Sequence, residues 1–599
     1  MTTAPREWAE PQLLLMVSAL CHESFYTTGV LCDQARGIYV GWVARKHSFC
    51  DGMPVWNEAK DVSLVFSGEE FPEPGTTERL KKEGHVVGAE APAYLVHLYE
   101  EDPSFPTGLN GRFHGLLTDR TRGTATLFND RYGMHRLYYH EAKDAFYFAG
   151  EAKAILAVRP ELRRTDPRGL GEFVTVGCVL ENRTLFDRIR VLPPASAWAF
   201  RGGAIERKGT YFQARQWEEE SPLEPEAYYS EIRRVFSCNL PRYFAGPERV
   251  GMSLTGGLDT RMIMAVHAPP SGSLPCYTFG GMFRDCQDVI VAREVARACG
   301  QTHQVIPVGQ QFLSCFAKYA QRTVYLTDGC TDVSHSPDLY ANERAREVAP
   351  VRMTGNYGGE ILRRVRAFKP QHPSSAIFVP DLATHFRAAA ASYAELIQSH
   401  PLTFAAFRQA PWHHYGLLAL EQSQLGLRSP FLDNAFVRTV YRAPPSALAS
   451  DEISLRLIAD GNPALMQIRT DRGLGGRRRL GAQPALRNLI EFSVKAEYAY
   501  DYGMPQRVAQ IDHVFSKLHL ERLFLGRHKF YHFRLWYRDH LSGYLKETLL
   551  DRRSLSRAYL NRDAVETIVR SHVKGNRNYT LDLHKLLTLE IIHRLFIDL

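Results

Sequence analysis

From residue 12 to about residue 205, apolar and polar positions alternate in short runs. LLLMVSAL, GIYVGWVA, DVSLVFSG, TATLFND, HRLYYHE and DAFYFAG follow one another, with Gly, Asn and Asp between them. A period of two, carried by β-branched and aromatic side chains, predicts strands and layered sheets. Around ARQWEEESPLEPEAYY the composition turns acidic and gains prolines, which predicts a linker ending near residue 224. Beyond it the period lengthens. YYSEIRRVFSCNL is helical in pattern and precedes the apolar run ERVGMSL, while VIVAREVARACG (289 to 300) is an amphipathic helix closed by Gly300. Strand and helix alternate to about residue 360, the pattern of a parallel sheet, and the remainder is largely helical. The chain has no internal repeat and no low-complexity tract.

At 599 residues the chain exceeds one hydrophobic core, so two or three domains are expected. It is 45% hydrophobic, 23% charged and 11% aromatic, ordinary values for a soluble protein. The formal charge of +8 is spread along the chain; it suits an anionic small substrate or a weak nucleic-acid contact and decides neither. The 10 cysteines form no CxxC pair and no zinc-ligand rhythm, which points to reduced thiols. PQLLLMVSALC resembles a signal core only faintly: Glu7 and Glu10 precede it, and Leu20 is a poor cleavage residue. No stretch reaches the roughly 20 apolar residues of a membrane helix. A cytoplasmic protein with neither membrane nor nucleic-acid partner is expected.

The chemistry concentrates in SLTGGLDTRMI (253 to 263), an apolar strand running into a helix through paired glycines. A helix N-terminus offers unpaired N–H groups and the positive end of the dipole. Gly256 and Gly257 would let an anion approach without meeting a Cβ, and Thr255 and Thr260 add hydroxyls. Asp259 is then placed to hold Mg²⁺ on phosphates. No Gly-Lys-Ser/Thr follows, so the Walker pattern is excluded.

Three further segments follow in order. PCYTFGG (275 to 281) is a second strand ending in Gly, with Asp288 after it. RMTGNYGGEIL (352 to 362) is a third strand with a Gly-rich turn. LGLRSPFLDNAFV (425 to 437) carries Arg-x-Pro-Phe-Leu-Asp. Together with the first they resemble the synthetase domain of the asparagine synthetase family over about residues 225 to 450, and RSHVKGNRNYTLDLHKLLTLE (570 to 590) resembles its closing segment. LNGRFHGLLTDRTRGTATLFNDRYGMHRLYYHEAKDAFYFAGEAKAIL (109 to 156) is similar to the family's class II glutamine amidotransferase domain, with Asp130, Gly133 and Glu151 at its motif positions. The resemblance implies an Ntn-type αββα sandwich over residues 1–210. A PP-loop (adenine nucleotide α hydrolase-like) α/β synthetase domain with a helical C-terminal part would follow over 224–599. It also implies ATP and Mg²⁺ as cofactors, an acyl-adenylate, and loss of pyrophosphate. Leu254, Thr255, Gly256, Gly257, Leu258, Asp259 and Thr260 would grip pyrophosphate. Phe279 would flank adenine and Gly355 would lie near the ribose or α-phosphate. Asp259 and Glu360 would hold the metal, and Glu360, Arg472 and Tyr357 are the candidates for catalysis.

Several positions depart from the family pattern. Gly359 stands where a second metal-binding Asp is expected, next to Glu360. Asp471 occupies the slot of a Lys, with Arg472 one place on, and Arg cannot act as a proton donor of tunable pKa. Gly426 replaces a Glu before Arg428. The sequence starts Met1-Thr2-Thr3, without the nucleophilic cysteine. Cys21 is internal, Thr2 is a weak nucleophile, and Ser67-Gly68-Glu69 replaces Asn-Gly-Glu. The expected function is therefore an ATP-dependent amide-forming ligase without its own glutamine hydrolysis. It would act on a small-molecule or peptide carboxylate with an amine or ammonia donor, as in the β-lactam and carbapenam synthetases and lasso-peptide cyclases. A homodimer is compatible with this reading. Asparagine synthesis from aspartate and ammonia, and an ATP-binding scaffold without turnover, are the alternatives. Arg363, Arg364, Arg366 and Arg477 to Arg479 are candidates for holding an acidic substrate.

Overall fold

The computed structural model describes residues 1–599 apart from 368, 372–373, 375, 449, 477–482, 515–520 and 522–524. The basic run Arg477 to Arg479 lies outside the described residues.

The first element is a helix, Arg6–Leu20, where the pattern LLLMVSAL predicted a strand. Ala9, Leu13 and Met16 are buried, while Leu14 and Leu15 are 52% and 55% exposed. That spacing of three to four is helical. A continuous apolar run of eight cannot be assigned by period alone, and its Leu, Met and Ala residues favour the helix. β1 (Tyr26–Asp33) and β2 (Ile38–Arg45) form an antiparallel hairpin beneath it.

The N-terminal sheet contains β3 (Val55–Trp56), β4 (Val62–Glu70), β5 (Gly111–Asp119) and β6 (Thr124–Asn129). A second sheet contains β7 (Tyr138–Glu141), β8 (Phe146–Ala149) and β9 (Arg190–Val191), in the order β8-β7-β9. β10 (Ser196–Arg201) and β11 (Ala204–Thr210) complete the first sheet in the order β11-β10-β6-β5-β4-β3. The period of two puts both faces of β4 to use. Leu64 and Phe66 pack with Phe113, Leu117 and Phe128 on one side, while Val65 packs with Leu116, Leu127 and Phe146 on the other. A sheet buried on both faces is the middle of a layered sandwich.

The helix Pro225–Asn239 leads into a five-stranded parallel sheet of β12 (Val250–Ser253), β13 (Cys276–Gly280), β14 (His303–Pro307), β15 (Val351–Met353) and β16 (Gly426–Arg428). Its order is β14-β13-β12-β15-β16. All four residues of β12 are buried, as befits a central strand with helices on both faces. The chain leaves β12 towards β13 on one side and returns to β15 on the other. Such a reversal opens a crevice at the carboxyl end of β12. The remainder is helical among the described residues, closing with Arg562–Lys574 and the almost wholly buried Thr580–Ile592.

The two halves meet at the run Arg428 to Asp433. Arg428 donates to both carboxylate oxygens of Glu69, at 2.6 and 3.1 Å, and to the carbonyls of Tyr243 and Ala245. Asp433 is fully buried. It accepts from Asn110 (3.3 Å), Asn239 (2.9 Å), Tyr243 (2.9 Å) and Arg242, and it caps the Asn434–Tyr441 helix through Ala435 and Phe436 N–H. Removing one partner of a buried pair leaves the other charge uncompensated, at about 3–5 kcal/mol. Asp433→Ala is therefore expected to lower stability by about that amount, read as a fall in the urea midpoint of the full chain. A change below about 1 kcal/mol, the range of an exposed pair, would show the hub to be solvated.

Candidate active site

The turn Leu254 to Leu258 lies at the carboxyl end of β12, and the Asp259–His267 helix starts from it. The three strand ends that the sequence picked out converge there. The 355–358 turn after β15 lies directly on the start of this helix. A Cβ on Gly355 would stand 2.8 Å from Asp259 Cβ and 2.9 Å from Thr260 N, and one on Gly358 would stand 2.5 Å from Asp259 Oδ1. Only glycine allows that approach. Tyr357, between them, is buried with a left-handed φ of 72°, a conformation that costs a bulky residue about 1–3 kcal/mol. Its ring meets His414 edge-on at 5.9 Å. Phe279, at the end of β13, carries the Arg352 guanidinium 5.0 Å from its ring and the Phe530 ring at 6.1 Å.

The charges around the turn divide between its two sides. On one side, Gly256 N–H donates to Asp288 Oδ1 at 2.7 Å, and Asp471 N–H donates to Gly256 O at 3.1 Å. A Cβ on Gly256 would meet Asp471 Cβ at 2.7 Å. Arg261, buried in the helix, holds the preceding segment there through the carbonyls of Leu465 and Ile468. Burial, then the nearby Asp471, pushes the Asp288 carboxyl up to about 6. The expected grip of Gly256 on pyrophosphate is thus taken by a side chain. Gly257 remains open, with only the Thr255 hydroxyl near it, at 3.3 Å from its N–H. Thr260 Oγ lies 3.3 Å from the Thr255 hydroxyl. Arg472 is turned outward, 55% exposed, with Nε 3.5 Å from Asp471.

On the other side, Asp259 Oδ2 accepts from Arg363 Nη2 at 2.7 Å, and Arg363 Nη1 donates to Ser454 at 3.2 Å. Asp451 lies 3.7 Å from Arg363 Nε. Burial raises the pKa of Asp259, and Arg363 offsets this only in part. Glu360 faces His414 at 3.4 Å, which outweighs the effect of burial and lowers its pKa. Arg363, one of the basic residues the sequence offered for an acidic substrate, is thus held on a carboxylate of the chain. Arg366 is exposed and Arg364 ends the short helix at φ 55°.

This donor set does not fit the Mg²⁺ expected on Asp259 and Glu360. Each carboxylate already faces a basic side chain, and Gly359 supplies no side-chain oxygen. Asp259 Oδ1 has no hydrogen-bond partner, but it is pressed against Gly358. A divalent ion there would sit about 5 Å from the Arg363 guanidinium, a repulsion of about 7 kcal/mol at an effective dielectric near 20. His414, Asp451 and Ser454 were missed by sequence reasoning and come from distant helices without a local motif. Asp288 was noted after the second strand without a role, and Arg363 only as a candidate for an acidic substrate.

The sandwich holds a separate cavity of ≈ 330 Å³, bordered by Trp42, Leu127, Phe146, Ser67, His135 and Arg112. Ser67 Oγ is 2.9 Å from His135 Nε2. Burial holds His135 well below the usual imidazole range, so its ring is neutral. Cys50, also on the wall, donates to Gly68 O at 2.9 Å, and burial pushes its thiol far up.

The fold agrees with comparisons to known proteins. A family model for the glutamine amidotransferase domain matches residues 48–212, and one for asparagine synthase matches residues 242–458. A sandwich of the first kind followed by a parallel-sheet domain of the second defines a two-domain amidotransferase–synthetase architecture. The chain belongs to the asparagine synthetase family. It is 23% identical to the Bacillus subtilis (strain 168) protein named asparagine synthetase (glutamine-hydrolyzing) 1, over 55% of this chain and 54% of that one. To the same organism's asparagine synthetase (glutamine-hydrolyzing) 3 it is 24% identical, over 50% and 51%. The chain spans about half the length of the curated relatives it matches. The glutamine phosphoribosylpyrophosphate amidotransferase of B. subtilis superposes at a TM-score of 0.20, with 11% identity over 44% of this chain and 49% of that one, too poorly to carry an argument.

A raised carboxyl pKa means that the folded chain binds the proton more tightly than the unfolded one, so stability falls as pH rises from about 4 to about 6. Above that window the full cost remains, up to about 3 kcal/mol and less as solvent reaches the group. Asp288→Asn keeps an acceptor for Gly256 N–H without the charge. It is expected to raise the melting temperature at pH 8 and to do so less at pH 5. An equal or opposite effect at the two pH values would refute the buried-charge account.

Proposed function

We propose that the chain is an ATP-dependent amide-forming ligase that activates a carboxylate as its acyl-adenylate and does not hydrolyse glutamine itself. The observation that carries this is the convergence of the open turn at Gly257, the start of the Asp259–His267 helix and the Gly355–Gly358 turn at the reversal point of a parallel sheet. Such a crevice is where open α/β sheets bind ligands, and a helix N-terminus there suits phosphate. A carboxylate oxygen of the substrate would attack the α-phosphorus, the bond to the β-phosphate oxygen would break, and pyrophosphate would leave. An amine would then attack the acyl carbon, expelling AMP and giving up a proton. The N–H groups at the helix start, the hydroxyls of Thr255 and Thr260 and the Arg363 guanidinium are the donors that would meet the growing phosphate charge. Phe279 offers a ring face for adenine.

The absence of glutaminase chemistry is supported from the sandwich. The Cys50 thiol is a hydrogen-bond donor with a raised pKa, the opposite of an activated nucleophile. Glu69 is bound to Arg428. Nitrogen would come from free ammonia, a partner protein or an amine of the substrate. A second reading is a nucleotide-binding scaffold without turnover, favoured by Asp288 on Gly256 N–H and by Arg363 on Asp259.

The test is exchange of labelled pyrophosphate into ATP across a panel of carboxylic acids. Acid-dependent exchange is expected. In Gly355→Val the added side chain displaces the helix start, and exchange should fall by about two orders of magnitude. Saturable ATP binding without exchange on any acid would leave the scaffold, and activity on aspartate alone would select asparagine synthesis. Glutamate release from added glutamine would overturn the account of the sandwich.

A further inference from the structure

Gly359 and Arg363 lie one turn apart on the short helix Gly358–Arg363, so their side chains share a face. A Cβ on Gly359 would stand 3.3 Å from Arg363 Nη2. The position where the resembled motif carries its second carboxylate is therefore bare, and a guanidinium lies over it. That same nitrogen donates to Asp259 Oδ2 at 2.7 Å. Ser454 and Asp451 fix the rest of the group, and its side chain is only 15% exposed.

We infer that the Arg363 guanidinium takes the place of a divalent metal at this site, so that the chain binds its nucleoside triphosphate as the metal-free anion. The inference rests on the reading of the turn as a triphosphate site. A carboxylate is missing at Gly359 where a cation lies over the bare position. The missing carboxylate and the added cation are thus one coupled change. The guanidinium is planar and carries five N–H donors, of which Asp259 and Ser454 engage two. Nε faces Asp451, and the second hydrogens on Nη1 and Nη2 suit phosphate oxygens, which Arg binds through charge-assisted hydrogen bonds. Unlike a metal, it needs no open coordination sites, which agrees with Asp259 Oδ1 being packed against Gly358.

The test is calorimetric titration of the full chain with ATP, in Mg²⁺ and in EDTA, together with electron paramagnetic resonance of added Mn²⁺. The expected result is that ATP affinity in EDTA stays within about threefold of that in Mg²⁺, and that the protein alone binds no Mn²⁺. Arg363→Ala should weaken metal-free ATP binding about 10- to 100-fold, and Arg363→Lys, which keeps the charge without the fork, by less. The double variant Arg363→Ala/Gly359→Asp should acquire bound Mn²⁺. Wild-type binding that disappears in EDTA, with Mn²⁺ held by the protein, would overturn the inference while leaving the ATP site standing. No ATP binding in either medium would overturn both. Should the Ala variant fail to fold by circular dichroism, the wild-type comparison and the Lys variant decide.

Discussion

The buried carboxylate of Asp433 is the interaction on which the rest of the architecture depends. A charge taken fully out of water is tolerated only when every lone pair is matched, and here the matches come from both halves of the chain. Asn110 reaches it from the sandwich, while Asn239, Arg242 and Tyr243 reach it from the segment before β12. The same oxygens start the Asn434–Tyr441 helix. Asp433 therefore fixes the entry to the parallel sheet, the exit from β16 and the domain interface with one group. None of these can shift without stranding a buried charge.

The site shows a tension between shape and charge. Its shape is that of an anion cradle: a turn at the reversal point of the sheet, glycines where backbones touch, and a helix pointing its N-terminus outward. Its charges are mixed. Asp288 and Asp471 stand against Gly256, and burial, reinforced by the nearby Asp471, pushes the Asp288 carboxyl up to about 6. Arg363 stands on the opposite side of the same turn. An anion bound there is repelled from one flank and attracted to the other, so it is steered towards Gly257 and the helix start.

Much of this was legible in the sequence because it is local. The strands β12, β13 and β15, the helix after SLTGGLD and the alternating runs of the sandwich each carry their period in a few neighbouring residues. The family followed from motifs in a fixed order. The helix Arg6–Leu20 was not legible, since an unbroken apolar run carries no period of two or of 3.6 until its neighbours decide which faces are covered. Nor were the ion pairs. Asp259 reads as a metal ligand in its own motif, and nothing in that motif reveals that Arg363, 104 positions away, has taken its oxygen. Asp471 reads as a lost Lys, yet its effect is on Asp288, with which it shares no sequence neighbourhood. Electrostatic partners chosen by tertiary packing leave little trace in local pattern.

The clamp between Glu69 and Arg428 also bears on how the sandwich is tied to the parallel-sheet domain. Arg428 ends β16, and its carbonyl accepts from Thr354 N–H at 3.0 Å, while the Ser429 hydroxyl donates to Asn356 O at 2.7 Å. Thr354 and Asn356 belong to the glycine turn that lies on Asp259. A continuous chain of contacts thus runs from a sandwich carboxylate, through β16, to the glycine turn that lies on Asp259. Arg428 side-chain exposure is 4%, so releasing Glu69 would leave a buried guanidinium with only carbonyl partners. The strand would then have to move to solvate it, and the turn would move with the strand. On this physical ground the sandwich is part of the synthetase site's framework, and its Glu69 is held in place by that demand whether or not glutamine is ever cleaved.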